Sequence, residues 1–489
     1  MAEGPGDRGM KPRRSVAAGL LRYSFSALPT LFLFALLILC GRYLGAADFG
    51  VFSFALALGL IFDPVLDPGL YHLLIREIAR DRGAASQYMS HALAWKGIAA
   101  PLVMLAIAGF VNFTAQPLRN ELAIYLLITS CIFKSIKDVF RSALIAYEYF
   151  TIDVLSIANE RFLLLIIGMW ALLSGKGLYG ICAVFVIIRA IDLLVIIYFV
   201  CKKIGSFWYR LDISFLKSIL WMAIPIGAYY VTLNTYNYVD TVMLSMLRSA
   251  VEVGWYNASY KIYEGLLILP VIVTTVLMPR LSSVYREEPE AFRLLVSRGL
   301  KYVFLLSVFI ALNGYLAAKV VMYILFGDEY IPSTDALVIL LVGILACFSI
   351  SFVQTVLISV DKQKISLFTT IAGLIINILL NYWLIEYYGH IGAALATVIA
   401  EFLVFVVLIG YCIKYFVKIS FTNIYMKPLC IYVFLVTMAK YFMVDMFIVL
   451  KMILVNAAAL AALFLWGYLD AEERRGILAA VPMRLKGRP

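Results

Sequence analysis

The chain has 489 residues, 64% of them hydrophobic and only 15% charged, where soluble domains average about 25% charged. One globular core cannot hide that much apolar surface, so an ordinary soluble domain is excluded and lipid is the solvent. The 41 Lys and Arg against 30 Asp and Glu give a formal charge of +11, but the bases gather in alternate loops, which argues against a nucleic-acid partner.

Each crossing of a bilayer needs about 20 mainly apolar residues. In chain order, such runs lie near 20–43, 50–74, 92–113, 121–145, 154–175, 178–200, 217–245, 252–279, 299–320, 335–359, 365–387, 391–414, 428–446 and 450–469. They predict an all-α integral membrane fold of about fourteen transmembrane helices. Residues 1–15 (MAEGPGDRGMKPRRS) are polar and rich in Gly and Pro, and read as a disordered tail. They do not read as a cleavable signal peptide, because the first apolar run continues as a full span.

Bases cluster in the N-terminal tail, the even-numbered loops and the C-terminal tail, for example Arg76, Arg80 and Arg82, then Arg280, Arg286, Arg293 and Arg298. Positive loops stay in the cytoplasm. Both termini are therefore expected inside, which requires an even number of spans. The bridging stretches 75–91 and 280–298 mix Arg, Glu and apolar residues and predict helices on the inner membrane face.

The chain repeats itself. At an offset of 204, Asp48-Phe49-Gly50 maps onto Glu252-Val253-Gly254, and Arg76 onto Arg280. "GLYGICAVFVI" (177–187) matches "GHIGAALATVI" (389–399) at 212, and "LIAYEYF" (144–150) matches "LISVDKQ" (357–363) at 213. Ordered matches with a drifting offset mark a duplicated unit with loop insertions. The repeat contains six spans, so its copies enter the membrane the same way round, with the substrate site expected where the halves meet. The expected organisation is an N-lobe over 16–203, a joining segment over 204–216, a pseudo-symmetric C-lobe over 217–420, two added helices over 421–470 and a cytoplasmic tail over 471–489. The acid of each acid-x-Gly turn is expected to cap the helix it opens.

Ionisable groups inside spans are costly and face a cavity or a partner. Lys134, Asp138 and Arg141 share one helix face at i, i+4, i+7, as do Asn257, Lys261 and Glu264. Asp63 and Asp67 each precede a proline, which removes a backbone donor. The mid-span bases Lys96, Lys134, Arg141, Arg189 and Lys261 are candidates to bind an anionic substrate, since Arg pairs phosphate bidentately and Lys acts as a point charge. The acids Asp63, Asp67, Asp240, Glu264 and Glu401 are candidates to carry a coupling H+ or Na+. Internal pairing that only fixes helix packing is the competing reading of the same charges.

The seven cysteines are scattered without a CxxC, and with three histidines they give no zinc or haem framework. No phosphate loop or nucleophile elbow occurs. No catalytic residue, metal or cofactor is therefore assigned, and the chain is not read as an enzyme. A polytopic enzyme of glycan assembly (a polymerase or ligase) and a structural membrane protein remain as alternatives. The first would need a large external loop, and the density of mid-span charge argues against the second.

The stretch "LLILCGRYLGAADFGVFSFALALGLIF", followed by "DPGLYHLLIREIAR", resembles the opening of Wzx-type polysaccharide-biosynthesis flippases. These belong to one superfamily with the lipid II flippases and the multidrug and toxin exporters. Gly41, Arg42, Tyr43, Leu44, Gly45, Phe49 and Gly50 carry the likeness, which extends over roughly 15–470. The resemblance implies a two-lobed helical transporter working by alternating access. It implies a polyprenyl-diphosphate oligosaccharide, such as an O-antigen unit, moved from the inner to the outer leaflet of a bacterial inner membrane. The implied partners are that lipid-linked glycan, the bilayer and a coupling ion, with glycan polymerase machinery as a further candidate. A drug or small-cation exporter of the same fold is the alternative, and would favour an acidic, aromatic site.

Overall fold

The computed structural model describes residues 12–113, 118–417, 421–442, 446–465 and 468. The tail expected at 471–489, and residues 1–11 of the tail expected at 1–15, lie outside the described residues. Among the described residues the chain is helical, with no strand. In lipid every backbone N–H and C=O must be satisfied within its own segment, and the helix does that.

The helices are α1 (Pro12–Leu66), α2 (Leu70–Arg80), α3 (Ala85–Phe113), α4 (Leu118–Ala146), α5 (Phe150–Leu173), α6 (Gly177–Lys203) and α7 (Ile213–Leu247). They continue with α8 (Ala250–Leu266), α9 (Ile268–Glu287), α10 (Pro289–Phe326), α11 (Ser333–Ser359), α12 (Gln363–Tyr415), α13 (Lys427–Phe442) and α14 (Ile448–Leu465). Ten described segments are long and apolar enough to cross a bilayer. Two of them are too long for one crossing. At about 1.5 Å per residue, the 55 residues of α1 and the 53 of α12 far exceed a hydrocarbon core of about 30 Å. Non-helical glycines divide them, Gly45 at φ 78° in α1 and Gly389 at φ 56° in α12. The charged helices α4 and α5, with 29 and 24 residues, are also long enough to span. The fourteen expected crossings are thereby accounted for.

The second expected span, 50–74, is interrupted. Helix α1 ends at Leu66 and α2 begins at Leu70, across Asp67-Pro68-Gly69. Pro68 cannot donate to the helical ladder, and Gly69 sits at φ +92°. Asp67 repairs the break by accepting from the Tyr71 N–H at 3.1 Å, while Trp95 donates to the Val65 carbonyl at 3.2 Å. The inner-face helices expected over 75–91 and 280–298 are only partly present. The first stretch holds the end of α2, a 3₁₀ turn and the start of α3; the second is the end of α9 and the start of α10, which opens on Pro289.

The chain forms two compact units, Met1–Asn234 and Thr235–Pro489. In the first, α2 buries Leu70, Leu73, Leu74 and Ile78, an i, i+3, i+4, i+8 stripe, against Val139, Phe140, Ala143 and Leu144 of α4 and Ile219 and Ala223 of α7. The first part of α7 thus packs on the first unit. Division by packing differs from division by repeat, so the lobes 16–203 and 217–420 stand on the repeat alone.

The repeat is visible in the backbone. Gly177 and Gly389, 212 apart, both adopt left-handed φ, at 60° and 56°. Glu148 and Asp361, 213 apart, are the non-glycine residues with positive φ among the described residues, at 66° and 59°. The first acid-x-Gly turn follows the kink at Gly45; at the equivalent place, Ser249 caps α8 by accepting from the Glu252 N–H. Glu252 itself does not cap its own helix, contrary to expectation. Its carboxylate accepts from the His390 N–H at 3.1 Å, capping the second half of α12 where Gly389 breaks that helix. Arg248 donates to the Ile385 carbonyl at 3.1 Å and to the Glu386 carbonyl, which closes the other side of the break.

Candidate functional site

In the first unit, α1, the break that follows it and α3–α6 bring together five bases and six acids. Lys96, on α3 and 1% exposed, donates to Asp67 at 2.8 Å and to Ser135 at 2.7 Å. Lys134 lies 3.5 Å from Asp138, one turn along α4, and 4.0 Å from Asp63 of α1. Arg141 bonds Asp138 at 2.8 Å and Asp153 of α5 at 2.6 Å. Arg189 of α6 lies 3.3 Å from Glu160 and donates to Ser130 at 3.0 Å. Lys137 adds to the Arg189–Glu160 pair by bonding both Glu160 and Asp192, the latter at 2.6 Å. The helices carry these groups inward because a charge in a low-dielectric interior needs an opposite charge and further hydrogen bonds.

The second unit is built differently. Asp240 of α7, 2% exposed, accepts from Tyr256 at 2.7 Å, Thr397 at 2.5 Å and Asn381 at 2.5 Å. Asn381 also donates to Asn377 at 3.0 Å. One turn along α12 from Thr397, Glu401 is 3% exposed and accepts from Tyr263 at 2.5 Å. Tyr256, Tyr260 and Tyr263 follow one another along α8, with successive ring centroids 5.6 and 5.7 Å apart. Lys261 pairs with Glu264 on the same helix at 2.7 Å, and its ammonium lies 5.8 Å from the Tyr238 ring centroid.

The structure sorts the ten candidates. Three expected bases meet three expected acids, as Lys96 with Asp67, Lys134 with Asp63 and Lys261 with Glu264. Arg141 and Arg189 find acids outside the candidate set. Asp240 and Glu401 have no cationic partner among the described residues; every group that donates to them is neutral. Of the five bases, Lys134 has the most exposed side chain, at 35%. The candidate set omits Lys137 and the donors Tyr256, Tyr263, Asn381 and Thr397. Asn381 and Thr397 were visible as polar residues inside spans, but the two tyrosines read from sequence as apolar.

A chain of bilayer-length helices, duplicated and carrying paired charges on its inward faces, is a multi-pass membrane protein with the build of a secondary transporter. The family profile described as "Polysaccharide biosynthesis protein" matches residues 18–285, more than half of the chain, and the chain belongs to that family. A second profile, MatE, matches residues 225–383. Among curated proteins, the chain is 26% identical over 409 residues to a Shigella flexneri protein named "Putative O-antigen transporter", covering 76% of this chain and 91% of that one. It is 22% identical over 390 residues to a Haloferax volcanii protein named "Probable low-salt glycan biosynthesis flippase Agl15", covering 78% and 79%. Among solved structures, the lipid II flippase MurJ in an inward closed conformation has the same fold, with a TM-score of 0.74 and 15% identity over 94% of this chain and all of that one.

Proposed function

We propose that this chain moves a polyprenyl-diphosphate-linked oligosaccharide from the cytoplasmic to the outer leaflet of a bacterial inner membrane, by alternating access and with ion coupling. The observation that carries the reading is the likeness, over 76% of this chain, to a protein named for O-antigen transport. The relative named as a glycan flippase points the same way. The bases clustered in the even loops and both tails favour cytoplasmic termini.

A diphosphate needs cations, and Lys96, Lys134, Arg141, Arg189 and Lys261 are the candidates. Each is now paired with a carboxylate, so substrate binding is an exchange of partner. Lys134 and Lys261 are best suited to it: the first has the most exposed side chain of the five, and the second is paired with a half-exposed Glu264. Such an exchange releases Asp63, Asp138 and Glu264, and Asp63 and Glu264 stand with Asp67, Asp240 and Glu401 as ion-coupling candidates. Of these, Asp240 and Glu401 fit an H+ or Na+ best, because each is buried among neutral donors.

The test uses proteoliposomes with the lipid-linked glycan on one leaflet and a membrane-impermeant sugar probe outside. Intact lipid should become reachable faster with the protein present. Lys134→Ala or Lys261→Ala should slow transfer about ten- to a hundredfold, the loss of a charge-assisted hydrogen bond of about 1.5–3 kcal/mol. Wild-type rates in both variants would remove these bases from the site, and a changed lipid mass would favour the enzyme reading.

A specific observation favours a second reading, export of a small cation. The MatE profile runs from within α7 to within α12 and includes Asp240 but not Glu401, and both acids lie among Tyr236, Tyr256 and Tyr263, the acidic and aromatic surroundings that suit such a substrate. Export of a cationic dye without flipping of lipid would support it.

A further inference from the structure

We propose that Glu401 is a proton site separate from the Asp240 cluster, and that its carboxyl carries the proton in this conformation. The proposal rests on the ion-coupled reading above and assigns the proton to one residue.

A carboxylate buried in the bilayer needs a cation or several donors to remain charged. Asp63, Asp67, Asp138, Asp153, Glu160, Asp192 and Glu264 each have a cation within 4.0 Å. Asp240 has no cation but receives three donors, spread over both its oxygens. Glu401 receives the Tyr263 hydroxyl on Oε1 and otherwise has only the Cys347 thiol, a weak donor, beside it. Its Oε2 is buried without a hydrogen-bond partner. That oxygen faces Gly343 of α11, where even a Cβ would stand 2.6 Å from it.

A protonated carboxyl suits this environment better than a carboxylate, because a neutral O–H without an acceptor costs less to bury than a charge. In the acid form Oε1 is the carbonyl, which accepts from Tyr263, while Oε2 carries the hydrogen and requires no donor from the protein. The titratable groups facing the carboxyl are Tyr236 and Asp240 from α7, Tyr256 and Tyr263 from α8 and Cys347 from α11. None of them is a base that could hold the anion. Cys347 is a weak donor, and its sulfur is 3.0 Å from the Tyr263 hydroxyl. Loss of the proton would leave Oε2 facing Gly343 with nothing to solvate it. Release therefore requires α8, α11 and α12 to part enough to admit water, which ties the proton to the conformation of these helices. Asp240 differs because its donors already satisfy a charged carboxylate.

The experiment is infrared difference spectroscopy of the full chain in lipid nanodiscs, titrated from neutral to alkaline pH. The wild type should show a protonated-carboxyl carbonyl band that disappears on alkalinisation. The band should be retained in Asp240→Asn and absent in Glu401→Gln. In Tyr263→Phe, which keeps the carboxyl but removes its donor, the band should move to higher frequency; this variant reports on the site even where Glu401→Gln folds poorly. A wild type without the band, a band that survives Glu401→Gln, or a band lost only in Asp240→Asn would each overturn the assignment. No glycan is used, so a failure here is distinct from a failure of the flippase reading, which the proteoliposome assay tests.

Discussion

Lys137 is the cation that links α4 to both α5 and α6. Its side chain is 3% exposed and bonds two carboxylates, Glu160 of α5 and Asp192 of α6. Removing a cation from a buried pair costs far more than the pair itself contributes, because the remaining charge is left in a low dielectric. Lys137→Met should lower stability by about 3–5 kcal/mol, read as a lower thermal unfolding midpoint in detergent. Lys202→Met, at an exposed position on the last turn of α6, is the control and should change little. Adding Asp192→Asn to Lys137→Met should recover part of the loss, since a neutral amide tolerates burial without a cation while Glu160 keeps Arg189 as its partner. A single variant as stable as the wild type would show that the network does not hold α4, α5 and α6 together.

At the scale of elements, the breaks in the long helices depend on glycine. Gly389 has φ 56°, and a Cβ there would fall 1.9 Å from the Glu252 carboxylate that caps the second half of α12. Gly389→Ala both strains the backbone and displaces the cap. It should cost at least about 2 kcal/mol, from the left-handed penalty and a lost charge-assisted hydrogen bond. Gly410→Ala, on the same helix with open space around the new Cβ, should be neutral or slightly stabilising. Equal unfolding midpoints for the two variants would mean that α12 bends without this glycine. The helices themselves were legible in the sequence because lipid demands long apolar runs, and the repeat was legible because its turns keep their residues. The partners of the charges were not. Spacing gives the face of one helix, as it did for Lys134, Asp138 and Arg141, but not the neighbour that face meets. Lys137 lies off that face and so looked incidental. Glu252 looked like a cap for its own helix because sequence proximity conceals the approach of α12. Tyr263 gave no signal, because a hydroxyl that donates to a buried carboxyl cannot be told from a core aromatic by composition.

For the whole molecule, the duplication extends to surface detail. Arg82 pairs with Glu148 at 2.7 Å and Arg286 with Asp361 at 3.7 Å, and the two pairs are related by the offsets of 204 and 213 that relate their turns. Exposed pairs of this kind contribute little to stability, about 0–1 kcal/mol, so their recurrence, with left-handed φ at both acids, records common descent of the turns more than a need for the bond. The duplication makes a prediction about sidedness. Six expected crossings separate Glu148 from Asp361, an even number, so both turns should lie on one side of the membrane, and the basic loops beside them make that side the cytoplasm. Lys176, one crossing after Glu148, and Asp328, one crossing before Asp361, should lie on the other side. With the seven native cysteines replaced, single cysteines at 148 and 361 should react with a membrane-impermeant maleimide only after the cells are opened. Those at 176 and 328 should react in intact spheroplasts. Labelling of 148 and 361 from opposite sides would make the repeat inverted, and the parallel two-lobe arrangement would have to be abandoned.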